Sequence, residues 1–259
     1  MLNKLEYEGL FFKESSSKKV FDNLPVEEPL EISINGKPYT VVLQTPGDEL
    51  ELGLGLLYAE DVISINTSYE FDVEEQKINF IIDKSELREG YLSSRSLLSV
   101  SSCGICGKQS LEDINVKGKN ISDDLIVKTE VIHALFNTLK ENQYLFNETG
   151  GTHGIAVFDE NATLLSIKED VGRHNALDKS VGELIRNKNL SKAKVLLCSG
   201  RLSYEIISKS FRAKIPIVAA VSCPTSLAVD FAKEYGITLI GFSRENKLTC
   251  YANPSRLSE

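Results

Sequence analysis

Cys103 and Cys106 are separated by two residues, and each is followed by a glycine, Gly104 and Gly107. They stand behind a serine-rich run, Ser93 to Ser102, that has no sustained helical or strand period. Such a pair can be half of a zinc site, a redox dithiol, or a nucleophile that accepts sulfur beside a helper thiol. Structural zinc is the weakest of these, since no second Cys-x-x-Cys and no His-x3-5-His pair completes a four-ligand set. A structural disulfide would close a very small loop and has no secretory context. The redox and sulfur-accepting readings both stay open, against the plain alternative of two incidental thiols in a loop.

Other polar groups cluster further on. His153 sits in the glycine-rich turn Thr149-Gly150-Gly151-Thr152-His153-Gly154, and Asp170, Arg173, His174, Asn175 and Asp178 crowd a strand-to-helix junction. Ordinary capping with an internal Asp-Arg pair would account for the second cluster. If His153 and His174 converged on one cleft, metal-dependent hydrolysis would follow, but neither His-Glu-x-x-His nor a deaminase Pro-Cys-x-x-Cys occurs. Cys198 and Cys250 lie in apolar strands and read as buried small hydrophobes, whereas Cys223 falls in a loop.

The elements that must position these groups are legible in the pattern. Residues 1 to 27 read as an irregular or partly stranded lead-in. Leu30, Ile32 and Ile34 alternate, Asn35-Gly36 turns, and Tyr39, Val41 and Leu43 alternate again, which predicts a hairpin. Thr45-Pro46-Gly47-Asp48 reads as an N-cap with proline at the first helical position, ahead of a helix to about Glu60. A second alternating pair follows around Glu74 to Gln76. Residues 1–92 thus form a small α+β domain, 93–124 the thiol loop and linker, and 125–259 a larger domain. In that domain a helix runs from Thr129 to about Asn142, with His133 beside its apolar stripe. The last third alternates strand and helix with short connections, predicting three parallel strands at Val195–Cys198, Ile217–Val221 and Ile237–Phe242. Ligands bind beyond the carboxyl ends of such strands. Three loops emerge there: Ser199 to Leu202, Ser222 to Thr225, and Phe242 to Lys247. Two of them feed helix N-termini with hydroxyl caps, and Arg201, Arg244 and Lys247 add positive charge, which suits a phosphorylated ligand.

The chain has 259 residues, 42% of them apolar, enough for a sizeable core. Its formal net charge of −8 argues against general affinity for nucleic acid or anionic membrane, so a polyanion needs a local cationic cluster. No apolar run reaches the length of a membrane span, and the first residues lack a signal peptide's order. The expectation is a cytoplasmic protein with reduced thiols.

Taken together, Glu28-Pro29-Leu30, Asn35-Gly36, Thr45-Pro46, Ser102 to Gly107, Thr149 to His153, Asp170 to Lys179, Ser199-Gly200-Arg201, Pro224 to Ala228 and Leu239 through Tyr251 resemble the FdhD family of formate dehydrogenase accessory sulfurtransferases. The run Asp170-Val171-Gly172-Arg173-His174-Asn175-Ala176 is the most specific. The resemblance implies a cytidine-deaminase-like three-layer domain without zinc ligands, within an α/β (overall α+β) homodimer. It implies sulfur taken from a cysteine desulfurase as a cysteine persulfide and passed to the molybdenum cofactor in its bis-guanine-dinucleotide form, for formate dehydrogenase. Cys103 would carry the persulfide and Cys106 would be its partner thiol. Cofactor binding would map onto Phe242, Ser243, Arg244, Glu245, Asn246 and Lys247, with Arg201, Thr225, His153 and His174 nearby. Cys223 stands where the family leads one to expect a small non-thiol residue. A cofactor-binding chaperone without sulfur chemistry and a dithiol oxidoreductase are the rival readings.

Overall fold

The computed structural model describes residues 3–88, 91 and 118–259. The thiol loop, with Cys103 and Cys106, lies outside the described residues. The irregular or partly stranded lead-in expected from the sequence is stranded along most of its length, as β1 (Lys4–Lys13) and β2 (Ser16–Pro25), an antiparallel ribbon. Period-2 patterning is missing because both faces of the ribbon are largely exposed, with Tyr7, Phe12 and Phe21 at 56%, 70% and 62%.

The expected hairpin, helix and hairpin follow as β3 (Glu28–Ile34), β4 (Lys37–Gln44), α1 (Glu49–Ala59), β5 (Glu70–Glu74) and β6 (Lys77–Ile81). β3 pairs in parallel with β6, giving the order β4-β3-β6-β5. Leu30, Ile32, Ile34, Ile78 and Phe80 of this sheet pack on Leu54 and Leu57 of α1. The start of α1 departs from the sequence expectation. Asp48, at φ 65°, is the N-cap, and Glu49 is the first helical residue. Thr45 is recruited elsewhere: its hydroxyl accepts from the Val171 amide at 3.1 Å, and its own amide donates to Asp170 at 3.0 Å.

After the short β7 (Val127–Lys128) come α2 (Thr129–Glu141), α3 (Tyr144–Thr149), β8 (His153–Phe158), β9 (Leu164–Asp170), α4 (Arg173–Arg186), β10 (Val195–Cys198), α5 (Tyr204–Arg212), β11 (Ile217–Ala220), α6 (Ser226–Tyr235), β12 (Thr238–Arg244), β13 (Lys247–Ala252) and β14 (Leu257–Ser258). The six-stranded sheet runs β13-β12-β11-β10-β8-β9, with β10, β11 and β12 parallel as expected. α2 buries Ile132, Leu135 and Leu139 on one face of this sheet. α4, α5 and α6 cover the other, giving three layers. Residues 118–124, placed in the linker by the sequence reading, dock on this body: the Ile121 amide donates to Tyr235 O at 2.9 Å, and Lys194 pairs with Asp123 at 2.7 Å. Arg256 also holds the segment, donating to Asp123 O at 3.0 Å and Ile121 O at 3.1 Å.

The small and large sheets meet through α1 and α4, which cross backbone to backbone. A Cβ on Gly55 would lie 1.9 Å from Asp178 O, and one on Gly182 would lie 1.8 Å from Glu51 O. Only hydrogen fits at either point. Because α1 is packed between its own sheet and α4, it is apolar nearly all round, and Leu52, Gly53, Leu54, Gly55, Leu56 and Leu57 are all buried.

Candidate functional site

A cavity of about 660 Å³ opens beyond the carboxyl ends of β10, β11 and β12, the edge where ligands bind in such sheets. Its floor includes Ser199, just past β10, Val221, just past β11, and Ser243 near the end of β12. Phe136, Asn137 and Lys140 of α2 wall one side, followed by Gln143 and Phe146. Gly150, Gly151, Thr152 and His153 complete the turn, and Arg244 and Glu245 stand at the rim.

Glu169 holds this wall together. Its carboxylate accepts from the Leu145 and Phe146 amides, both at 2.8 Å, and from the Thr152 hydroxyl at 3.0 Å. An acid at the first turn of α3 satisfies donors that the helix leaves free. Sequence reading gave Glu169 no role, since these partners lie 17 to 24 residues away. Gln143 crosses β8 at Gly154, where an added Cβ would come within 2.9 Å of its carboxamide. The Gln143 side chain is only 7% exposed and Ser243 only 1%. Gln143 Nε2 and Ser243 Oγ are buried without a hydrogen-bond partner among the described residues. Leaving such groups unpaired costs about 1–3 kcal/mol each.

His153 is half-buried beside Gly200, and burial, reinforced by Arg173 and Arg201 against Asp170, lowers its pKa below the usual imidazole value. The ring is therefore neutral at pH 7, and the fixed charge here belongs to the arginines. Arg173 Nε is buried without a partner among the described residues, and Arg201 is exposed. With Lys140 and Arg244, also exposed, these form a local basic group on an acidic chain.

The segment Phe242 to Lys247, read as a loop, is the tip of the β12–β13 hairpin. Glu245 and Asn246, at φ 53° and 58°, make the turn. Phe242 is 39% exposed, its ring 6.4 Å from that of Tyr251, and Asn246 and Lys247 are exposed beyond the cavity lining. Thr225 is engaged as the N-cap of α6, accepting from the Ala228 amide at 3.4 Å. Ser203, the N-cap of α5, makes no side-chain capping bond and lies 3.2 Å from His174 Nε2.

The structure gives the two imidazoles different settings. His153 lines the cavity, whereas His174 is buried against Ser203 and Glu205, 3.3 Å from the latter. No group of three or more metal-ligating side chains occurs among the described residues. Much of the Asp170 cluster is a clamp between the two halves of the chain. Asp170 accepts from Gly172 N and Asn175 Nδ2 and pairs with Lys179 at 2.8 Å. Lys179 reaches Thr45 O and Asn175 reaches Leu43 O. Among the described cysteines, Cys198 is fully buried and its thiol pushed up to about 11 by that burial. Burial raises the Cys250 thiol as well, and Cys223 is half-buried in the loop after β11. Neither Cys198 nor Cys250 would be appreciably ionised at pH 7.

Residues 25–258 match the FdhD/NarQ family model. The chain is 42% identical over 241 residues to a sulfur carrier protein FdhD of Sulfolobus acidocaldarius, covering 91% of each chain. It is 41% identical over 249 residues to one of Saccharolobus solfataricus, covering 95% of each, and 38% identical over 256 residues to one of Streptomyces coelicolor, covering 92% of this chain and 89% of the other. A crystal structure of a candidate formate dehydrogenase accessory protein from Desulfotalea psychrophila has the same fold, with TM-score 0.81 over 99% of this chain and 100% of that one at 22% identity.

Proposed function

Because the chain belongs to the FdhD/NarQ family, we propose that it is a sulfurtransferase that carries sulfur to the molybdenum cofactor, as bis-molybdopterin guanine dinucleotide, for formate dehydrogenase. The observation that carries this reading is the match over residues 25–258, which spans both Cys103-x-x-Cys106 and the cavity at the carboxyl ends of the parallel strands. In the first step the Cys103 thiolate attacks the outer sulfur of a cysteine desulfurase persulfide. The donor's S–S bond breaks, its cysteine leaves as thiolate, and Cys103 holds the persulfide. In the second, the Cys106 thiolate attacks the inner sulfur of Cys103. Hydrosulfide is released toward the bound cofactor, a Cys103–Cys106 disulfide forms, and an external dithiol reductant reopens it.

The cofactor is substrate here, and the cavity suits it. Lys140 and Arg244 line the cavity and Arg173 and Arg201 stand near its His153, so these four offer charge to phosphate groups, and the apolar wall of Phe136 and Phe146 suits a flat ring. Phe242, Asn246, Lys247, Thr225 and His174 belong to the surround of this site in the same reading. The active species is a cytoplasmic homodimer, which sedimentation velocity would show as a single species of twice the chain mass. Cys103→Ala is expected to abolish sulfur transfer while guanine-nucleotide affinity stays within about twofold; loss of both together would give the thiol loop a structural role. Alanine at Arg201 and Arg244 together is expected to weaken GDP binding about tenfold or more, as loss of charge-assisted phosphate contacts requires. Equal affinity by equilibrium dialysis would remove the cavity from the function.

A further inference from the structure

The β1–β2 ribbon lines none of the cavity described above. Its strands pair from Lys4–Pro25 to Lys13–Ser16, and neither outer edge is paired among the described residues. The base is anchored: Lys4 pairs with Glu148 of α3 at 2.7 Å, and Pro25 packs on Gly151, where an added Cβ would come within 2.6 Å. Beyond that base every residue from Leu5 to Leu24 is exposed except Gly9 and Val20, which are partly buried. A two-stranded ribbon is marginal in water by itself. Both faces nevertheless carry large apolar groups. Opposed residues share a face, so Leu5, Tyr7, Phe11, Val20 and Leu24 line one, and Leu10, Phe12 and Phe21 the other.

Charge is polarised along the ribbon. Between the Gly9–Val20 pair and the tip stand Lys13, Lys18 and Lys19 with one acid, Glu14; toward the base stand Glu6, Glu8 and Asp22 with one basic residue, Lys4. Lys4 is engaged by Glu148, and Lys19 by Glu8 at 2.8 Å. The ribbon as a whole is neutral on a chain of net charge −8, so two copies can meet there without the repulsion felt elsewhere. On the first face, Lys18 and Asp22 lie two residues to either side of Val20, and Tyr7 and Phe11 two residues to either side of Gly9. A twofold rotation about that central pair lays Lys18 over the partner's Asp22 and Phe11 over the partner's Tyr7. Gly9, which has no side chain, lets the ribbons approach closely at the axis.

We infer that the ribbon is a dimerisation arm: its Tyr7 and Phe11 face stacks antiparallel on the same face of a second copy, and its Phe12 and Phe21 face lies on the partner's body. This rests on the homodimer proposed above and assigns its interface. Area decides for contact through both faces. Ten residues at about 3.3 Å each, in two strands about 10 Å wide together, give each face on the order of 300 Å². Stacked arms alone would bury roughly 600 Å² in total, well short of the ~1,200 Å² of a specific interface. Covering the second faces as well brings the total to roughly 1,800 Å², within the usual range.

Sedimentation velocity of the full chain across a dilution series tests this, with the wild type expected as a dimer. Phe11→Asp is expected to raise the dimer dissociation constant at least about a hundredfold, since the twofold buries the new charge twice. Lys18→Glu is expected to raise it about tenfold, and Lys18→Glu with Asp22→Lys to return it to within about threefold of wild type. Recovery on the second reversal is a result that a structural role for either residue would not give. A dimer indifferent to Phe11→Asp and Lys18→Glu overturns the inference and leaves the homodimer standing on another surface. A dimer weakened by Lys18→Glu and not regained with Asp22→Lys overturns the antiparallel stack. A wild type that is monomeric at every dilution removes both the arm's role and the homodimer, and leaves the arm to a different protein. Phe11, Lys18 and Asp22 are exposed in the single chain, so the body folds in each variant, as far-UV circular dichroism would show.

Discussion

Two buried ion pairs, Asp170–Lys179 and Asp178–Lys209, act at the scale of single residues in different ways. Asp170 and Lys179 are 0% and 1% exposed and pair at 2.8 Å, and together they tie Thr45 to α4. Removing the acid leaves an uncompensated ammonium in the interior, so Asp170→Ala is expected to cost roughly 3–5 kcal/mol in urea unfolding. A loss below about 1 kcal/mol would contradict the clamp. Asp178 and Glu205 share Lys209, at 2.6 Å and 3.3 Å. Burial first, then Glu205 and Glu60 against Lys209, pushes the Asp178 carboxyl up to about 7 from 3.8. Burial also works against the charge of Lys209, but Asp178 and Glu205 outweigh it, and its net shift is upward. With its pKa raised in the fold, protonated Asp178 stabilises the native state fully below about pH 4. That contribution disappears as pH rises toward 7, by at most about 1.4 kcal/mol per pH unit. Melting temperatures of wild type and Asp178→Asn between pH 4.5 and 7.5 should show the wild type falling relative to the variant as pH rises. Parallel profiles would refute the assignment.

At the scale of elements, the α1–α4 crossing fixes how the small sheet sits on the large one. Gly55→Ala or Gly182→Ala would drive a methyl into a carbonyl oxygen of the opposing helix. Neither backbone can yield without unpacking Leu54 and Leu57 or Leu177 and Val181, so a loss of about 3 kcal/mol or more is expected in urea unfolding. A smaller loss for both would mean that the helices can separate freely. These glycines carry no local signal, since each stands in a helix and its partner lies over 100 residues away. The β10–α5–β11–α6–β12 alternation, by contrast, was legible because strand and helix periods switch at short, hydroxyl-rich connections. The N-terminal ribbon was only partly legible, because strands exposed on both faces have no reason to alternate. Thr45-Pro46 misled for a third reason: the Thr45 hydroxyl serves the Val171 amide, 126 residues away, and the helix starts later.

For the whole molecule, the cavity's position beyond the carboxyl ends of the parallel strands was legible because topology dictates it, while the wall opposite was not. Ser199 and Ser243 follow from the order of parallel strands, whereas Gln143 and Glu169 act through the packing of α2 and α3 against β8 and β9. The conspicuous run from Asp170 to Asn175 divides its labour, with Arg173 near His153 and Asp170 and Asn175 tying α4 to the segment after β4. No helix among the described residues is long and apolar enough to cross a membrane. On this chain of net charge −8, Lys140, Arg173, Arg201 and Arg244 form a local cationic group at the carboxyl edge of the large sheet.

The proposed role of Cys103 as sulfur carrier is tested by intact mass under non-reducing conditions after incubation with a cysteine desulfurase and cysteine. The expected result is the gain of one sulfur, mapped to the peptide containing Cys103 and lost in Cys103→Ala. No gain, or a gain confined to Cys223, would contradict it and leave a protein that binds the cofactor without carrying its sulfur on this pair.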